Sequence, residues 1–91
     1  MPTRQLIIKG KVQGVFFRAS AKETANQWGI TGWIKNTANG DVEAMVSGTE
    51  NQLQHFLKWC WHGPSGAEVT EVIQSECPET FFDDFSILRR E

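Results

Sequence analysis

Little in this chain would staple it covalently or anchor it in a membrane. Its two cysteines, Cys60 and Cys77, are too few for a disulfide framework or a cysteine metal cluster. Cys60 is expected on a helix face and Cys77 in a late loop. No apolar run approaches the ~20 residues needed to span a bilayer, so no membrane partner is expected. Met1–Gln5 leads directly into a strand and lacks the apolar stretch of a signal peptide, which makes the cytoplasm the expected location. Charge of one sign is also scarce. A net charge of −2 and a pI of about 5.6 exclude the basic surface of a protein that coats nucleic acid. No repeat, linker or low-complexity tract divides the 91 residues. They are expected to form one domain over 1–91, large enough to bury a modest core, with six Phe and four Trp helping to fill it.

The usual catalytic clusters are missing as well. His55 and His62 lie seven apart, not at the i, i+4 spacing of a helical zinc pair, and His62 suits the C-terminal end of a helix by its charge. Asp83 and Asp84 read as solvated loop carboxylates, and Glu68, Glu71 and Glu76 as sheet-edge charges. Met45 and Trp33 read as sheet-surface residues rather than a cofactor box. No Ser-His-Asp or Cys-His arrangement emerges. The expectation is a protein with no metal and no cofactor.

What is present is a regular alternation of elements. Leu6-Ile7-Ile8-Lys9 reads as the core of a first strand. Phe17, Ala21, Ala25 and Trp28 recur at near-helical spacing, so a helix is predicted from about Phe17 to Gln27, stopped by Gly29. Gly32–Asn36 is a second strand. Asn39-Gly40 is a hairpin turn signal, and Asp41–Ser47 alternates as a third strand. Thr49-Glu50-Asn51-Gln52 is a capping box that opens a second helix, with Leu53, Phe56, Leu57, Cys60 and Trp61 on its apolar face. Gly63-Pro64 ends it. A fourth strand spans about Ala67–Ser75, a loop follows, and a short strand runs over Phe85–Leu88. The order β-α-β-β-α-β plus a terminal strand predicts an α+β, ferredoxin-like sandwich: an antiparallel sheet with both helices on one face.

The segment richest in chemical content joins the first strand to the first helix: Gly10-Lys11-Val12-Gln13-Gly14-Val15-Phe16-Phe17-Arg18. Amides at a helix start point outward without partners, the helix dipole adds positive potential, and glycines let the backbone approach a ligand. Arg18 is out of place there, since a cation near a helix N-terminus is disfavoured by roughly 0.3–1 kcal/mol. Two readings stand: a surface ion pair, or a clamp on an anion held between arginine and helix. The loop is neither a Walker A sequence nor a dinucleotide fingerprint. Gln13 is expected to meet a ligand through its backbone amide, with its side chain in solvent.

A right-handed crossover makes the first two strands run the same way, so their C-terminal ends share one sheet edge. With the third strand between them, the loop and Asn36 lie about 10 Å apart at the backbone. Asn36 reads locally as a turn former. At that edge its amide, with one donor group and one acceptor, also suits holding a water. Thr37 reads as turn-bonded, or as a hydroxyl orienting Asn36. Such a site has an anion cradle, one arginine and one amide, but no evident nucleophile or general acid. A carboxylate leaving group, with a conjugate acid of pKa near 4, departs without acid help. Phosphoryl transfer needs mainly positioning and charge stabilisation. An acyl phosphate is the substrate that such a sparse site suits.

These residues resemble the acylphosphatase family. The segment Gly10–Arg18 is similar to its signature G-x-V-Q-G-V-x-F/Y-R. Gly32–Glu43 is similar to a second signature, G-W/Y-x-x-N-x-x-x-G-x-V-E. Gly63-Pro64 and Phe85-Ser86-Ile87 extend the likeness over nearly the whole chain. The resemblance implies hydrolysis of carboxyl-phosphate bonds without a cofactor, on a small-molecule acyl phosphate and water. It implies that Arg18 and the amides of Gln13, Gly14, Val15, Phe16 and Phe17 bind the phosphate, and that Asn36 orients the water. Ala21 stands where members often have Thr, and Ser20 is a candidate replacement. A non-catalytic phosphate-binding module is the alternative. An RNA-binding module is a poorer one, because Leu6–Lys11 and Asp41–Ser47 carry no aromatic residue for bases to stack on. A monomer is expected, with loose selectivity for the acyl group and no nucleic-acid partner.

Overall fold

The computed structural model of the chain describes residues 1–88. The last three positions of the domain expected over 1–91 lie outside the described residues. The elements follow in the order β1 (Thr3–Lys11), α1 (Phe17–Trp28), β2 (Thr31–Asn36), β3 (Val42–Ser47), α2 (Glu50–His62), β4 (Glu68–Cys77) and β5 (Phe85–Ile87). The sheet order is β4-β1-β3-β2-β5. β1 runs antiparallel to β3 and β4, and β2 antiparallel to β3. β5 lies parallel to β2, so the sheet is mixed rather than wholly antiparallel as expected. The cause is topological: the chain returns from β4 at the far edge and must run alongside β2 to bury Phe85.

The core lies between the sheet and the two helices. Leu6 and Ile8 of β1, Ile34 of β2, and Val42, Ala44 and Val46 of β3 face Phe17, Ala21 and Ala25 of α1 and Leu53, Phe56 and Cys60 of α2. Each large side chain removed from water in this layer contributes about 1.5–3 kcal/mol. Ala21, where a hydroxyl was expected in relatives, is fully buried, so the small side chain serves the α1–sheet packing. Burial pushes the Cys60 thiol up, away from the range in which a thiolate forms.

The helix signals act as the sequence indicates. Thr49 and Gln52 form a reciprocal capping box, and Gly29 ends α1 in the left-handed region. Two tryptophans placed on helix faces by periodicity lie outside the core. Trp28 is 41% exposed and stacks on His55, and Trp61 is 49% exposed. Trp59 packs against the core instead, with its ring 5.2 Å from that of Phe17. Trp59 and Trp61 flank the apolar stripe of α2 on opposite sides, and only the side of Trp59 has the aromatic ring of Phe17 against it. Among the described residues, no helix is long and apolar enough to cross a membrane.

Gly10 has a different task from that suggested by its place in the loop motif. It sits at a register shift between β1 and β4 with φ 124°, and a Cβ there would lie 2.1 Å from the Glu68 carbonyl oxygen. Gly14, with φ 74°, has open space where its Cβ would be. Both positions strain an L side chain, but only Gly10 adds a backbone clash. Gly10→Ala is expected to cost at least ~2–3 kcal/mol and Gly14→Ala only ~1 kcal/mol. Urea denaturation of the two variants beside the parent protein checks the order.

Candidate functional site

The site is assembled at the sheet edge where β1 and β2 end. Val42, at the start of β3, pairs with Ile8 on one side and with Asn36 on the other. Ile8 and Asn36 are therefore two strand positions apart, about 10 Å, and β1 continues three residues past Ile8 to Lys11 before the loop begins. Val12 and Phe17, each 1% exposed, fasten the two ends of the intervening loop into the core. Val15 packs against the core edge near Gly66, while Phe16 turns outward.

Gln13 ties this loop to the β2–β3 hairpin. Its Nε2 donates to the carbonyl of Thr37 at 2.9 Å and to that of Asp41 at 2.7 Å. The side chain expected in solvent is thus a bridge between the two halves of the site. The local sequence did not show this, because both acceptors are backbone atoms more than twenty residues away. Lys9 Nζ binds Asp41 Oδ2 at 2.7 Å and holds the same corner to β1.

Thr37 is turned into the hairpin. Its hydroxyl lies against Asn39 and accepts from the Asp41 amide at 3.1 Å. It is committed to the turn rather than to Asn36. Ser20, the candidate replacement hydroxyl, does not line the cavity, whereas Ala19 does. Ser20 acts through its backbone, its amide donating to the Phe16 carbonyl at 3.1 Å.

That last bond marks where the α1 ladder begins. The amides of Phe17, Arg18 and Ala19 precede it and have no intrahelical acceptor. Phe16 occupies the N-cap without a side-chain cap, and the first turn carries no acidic residue. The start of α2 is the opposite case, with its capping box and Glu50 in the first turn. The α1 start therefore keeps its positive potential open, with the cation of Arg18 added to it.

These groups border one depression of about 280 Å³. Its lining includes Gly14, Phe16, Phe17, Arg18 and Asn36, with Val12, Ala19 and Ile87 completing the wall. Ile87 was legible only as part of a closing strand; pairing β5 beside β2 brings it to this edge. Asn36 Oδ1 is shielded from solvent and has no hydrogen-bond partner. Leaving such an oxygen unpaired costs about 1–3 kcal/mol.

The other polar candidates lie elsewhere. His55 stacks on Trp28, with ring centroids 4.0 Å apart. Asp84 accepts the Ser86 hydroxyl at 2.9 Å, and its carbonyl accepts the Gly32 amide. Cys77 pairs with Thr3 at the opposite end of the sheet. Among the described residues, no group of three or more His, Cys, Asp or Glu side chains is arranged to hold a metal ion.

A ferredoxin-like sheet of five strands with two helices on one face, and a β1–α1 loop that shares a depression with the end of β2, defines the class of fold. The acylphosphatase family model matches residues 4–87, and the chain belongs to that family. An acylphosphatase of Bordetella parapertussis is 47% identical over 72 residues, covering 79% of this chain and 77% of the relative. The crystal structure of acylphosphatase from Bacillus subtilis superposes with a TM-score of 0.94 at 34% identity, covering 97% of this chain and 99% of that one. An acylphosphatase from Coxiella burnetii gives 0.92 at 36% identity, covering 96% and 92%.

Replacing Gln13 by Ala removes both bridging bonds and is expected to destabilise the fold by about 1–2 kcal/mol. Gln13→Glu is expected to cost more at neutral pH, since it turns a carboxylate toward two carbonyl oxygens. Thermal denaturation of both variants at pH 7 checks this order.

Proposed function

We propose that the cavity bounded by Arg18, the α1 start and Asn36 is the active site, and that it hydrolyses the carboxyl-phosphate bond of acyl phosphates without a metal. Membership of the acylphosphatase family supports the reaction. The observation that supports these roles is the meeting, around one depression, of a cation, an uncapped helix start and Asn36, whose amide oxygen has no protein partner.

The loop amides and the Arg18 guanidinium hold the phosphoryl oxygens. Guanidinium offers a planar fork of donors that fits two of these oxygens at once. With its amide turned about the soft terminal torsion, Asn36 Oδ1 accepts a hydrogen bond from a water and holds it in line with the bond to the acyl oxygen. The water oxygen attacks phosphorus and the P–O bond to the acyl group breaks. The electron pair leaves with the carboxylate, which needs no proton because its conjugate acid has a pKa near 4. A phosphoryl oxygen of the substrate takes the proton from the attacking water, so the products are a carboxylate and inorganic phosphate. Catalysis rests on orientation and on charge stabilisation set in place before the reaction.

Two substitutions separate the roles. Asn36→Ala is expected to lower kcat by at least ~10²-fold, the scale of losing one preorganised hydrogen bond in the transition state, with little change in inhibition by inorganic phosphate. Arg18→Lys is expected to lower kcat/KM comparably although charge is kept, and to weaken phosphate inhibition. Steady-state kinetics on acetyl phosphate with phosphate as competitor measures both. Collapse of phosphate inhibition in Asn36→Ala with kcat intact would reverse the assignment. Phosphate binding without turnover by the parent protein would make it a binding module.

The positive charge at the site comes from Arg18 and the helix-start amides, so turnover is expected to persist in excess chelator. Activity lost to chelation and restored by added magnesium or zinc would contradict the metal-free reading.

A further inference from the structure

Among the described residues, positive φ is confined to six glycines and one other residue, Phe16, at φ 63°. A bulky aromatic in the left-handed region is a true outlier, and such outliers persist where surrounding structure or function demands them. Packing does not demand this side chain, since Phe16 is 82% exposed. The same loop uses glycine two positions earlier, so a glycine would suit the backbone at 16 as well.

What Phe16 does have is a place in the wall of the phosphoryl cavity. Ile87, 39% exposed, and Ala19 line the same depression. Among the described lining residues, Arg18 is the single charged side chain. At about 30 Å³ per water-sized group, a depression of about 280 Å³ has room beyond a phosphoryl group. The wall available to the rest of the substrate is hydrocarbon.

We infer that Phe16, with Ile87 and Ala19, forms an apolar subsite for the acyl group, and that this protein favours acyl phosphates bearing an aromatic or apolar acyl chain. The inference rests on the proposed reading of the cavity as an acyl phosphate site. It replaces the expectation of loose acyl selectivity with a directional one. An aromatic ring seated against Phe16 is removed from water on one face, and ring pairs add attraction beyond their buried area. The uncapped α1 start and Arg18 hold the phosphoryl end in either case, so the subsite discriminates through the acyl end alone.

The test is the ratio of kcat/KM for benzoyl phosphate to that for acetyl phosphate, measured in the parent protein and in Phe16→Ala, Phe16→Gly, Phe16→Tyr and Ile87→Ser. A ratio between variants cancels the intrinsic difference between the leaving groups and any shared effect on the phosphoryl site. Phe16→Gly removes the ring while suiting the left-handed backbone, so it separates loss of the ring from strain. The parent ratio is expected to exceed one. It is expected to fall about fivefold in Phe16→Ala and Phe16→Gly, to fall in Ile87→Ser, and to be kept in Phe16→Tyr. A parent protein active on both substrates whose ratio is unchanged in Phe16→Gly would overturn the subsite and leave the proposed reaction standing. A parent protein active on neither would overturn both.

Discussion

The site depends on β3 lying between β1 and β2, antiparallel to both. That insertion makes β1 and β2 run the same way and sets them two strand spacings apart, with Val42 paired to Ile8 on one side and to Asn36 on the other. The proposed reaction needs phosphate donors on one side and a water on the other, along a single line. It draws them from the loop that follows β1 and from the amide that closes β2, on strands two spacings apart.

The connection across that gap is made chiefly by backbone acceptors. Gln13 reaches from the loop to two carbonyls of the hairpin, and Lys9 reaches from β1 to the Asp41 carboxylate. The remaining polar groups of the hairpin are occupied with one another, as Thr37 shows. Asn36 is then left with an unpaired oxygen, and the α1 start with uncapped amides. Each is a local loss of stability. The rest of the fold carries it through a closely packed core and well-capped ends elsewhere, such as Thr49 on α2. Unmet hydrogen-bonding capacity is thus gathered in residues around one depression.

Much of this was legible in the chain. The order of elements followed from periodicity and from punctuation by Asn39-Gly40, the Thr49 capping box and Gly63-Pro64. The handedness of the crossover then placed Arg18 and Asn36 at one edge. Three features were misread for one reason: each depends on contacts distant in sequence. Gln13 looked solvent-facing because its acceptors are carbonyls across the hairpin. Gly10 looked like a ligand-facing glycine because the Glu68 carbonyl that crowds it belongs to β4. Trp61 looked like core because helical spacing does not say which flank of a helix meets a neighbour.

The sequence by itself determined the element order, the α+β class, the family signatures and the residue types of the site. These are written in local patterns: period, turn chemistry and the spacing of Gly, Arg and Asn. Only the tertiary structure decided that β5 runs parallel to β2 and carries Ile87 to the cavity. The same holds for Phe16, which stands outward in a left-handed conformation, for Ser20 and Thr37, which serve the backbone, and for Asn36, whose oxygen is left unpaired. The physical reason is that a side chain's partner depends on which strands lie side by side and in what register. Local sequence constrains each strand, but it does not record the neighbour that each strand acquires.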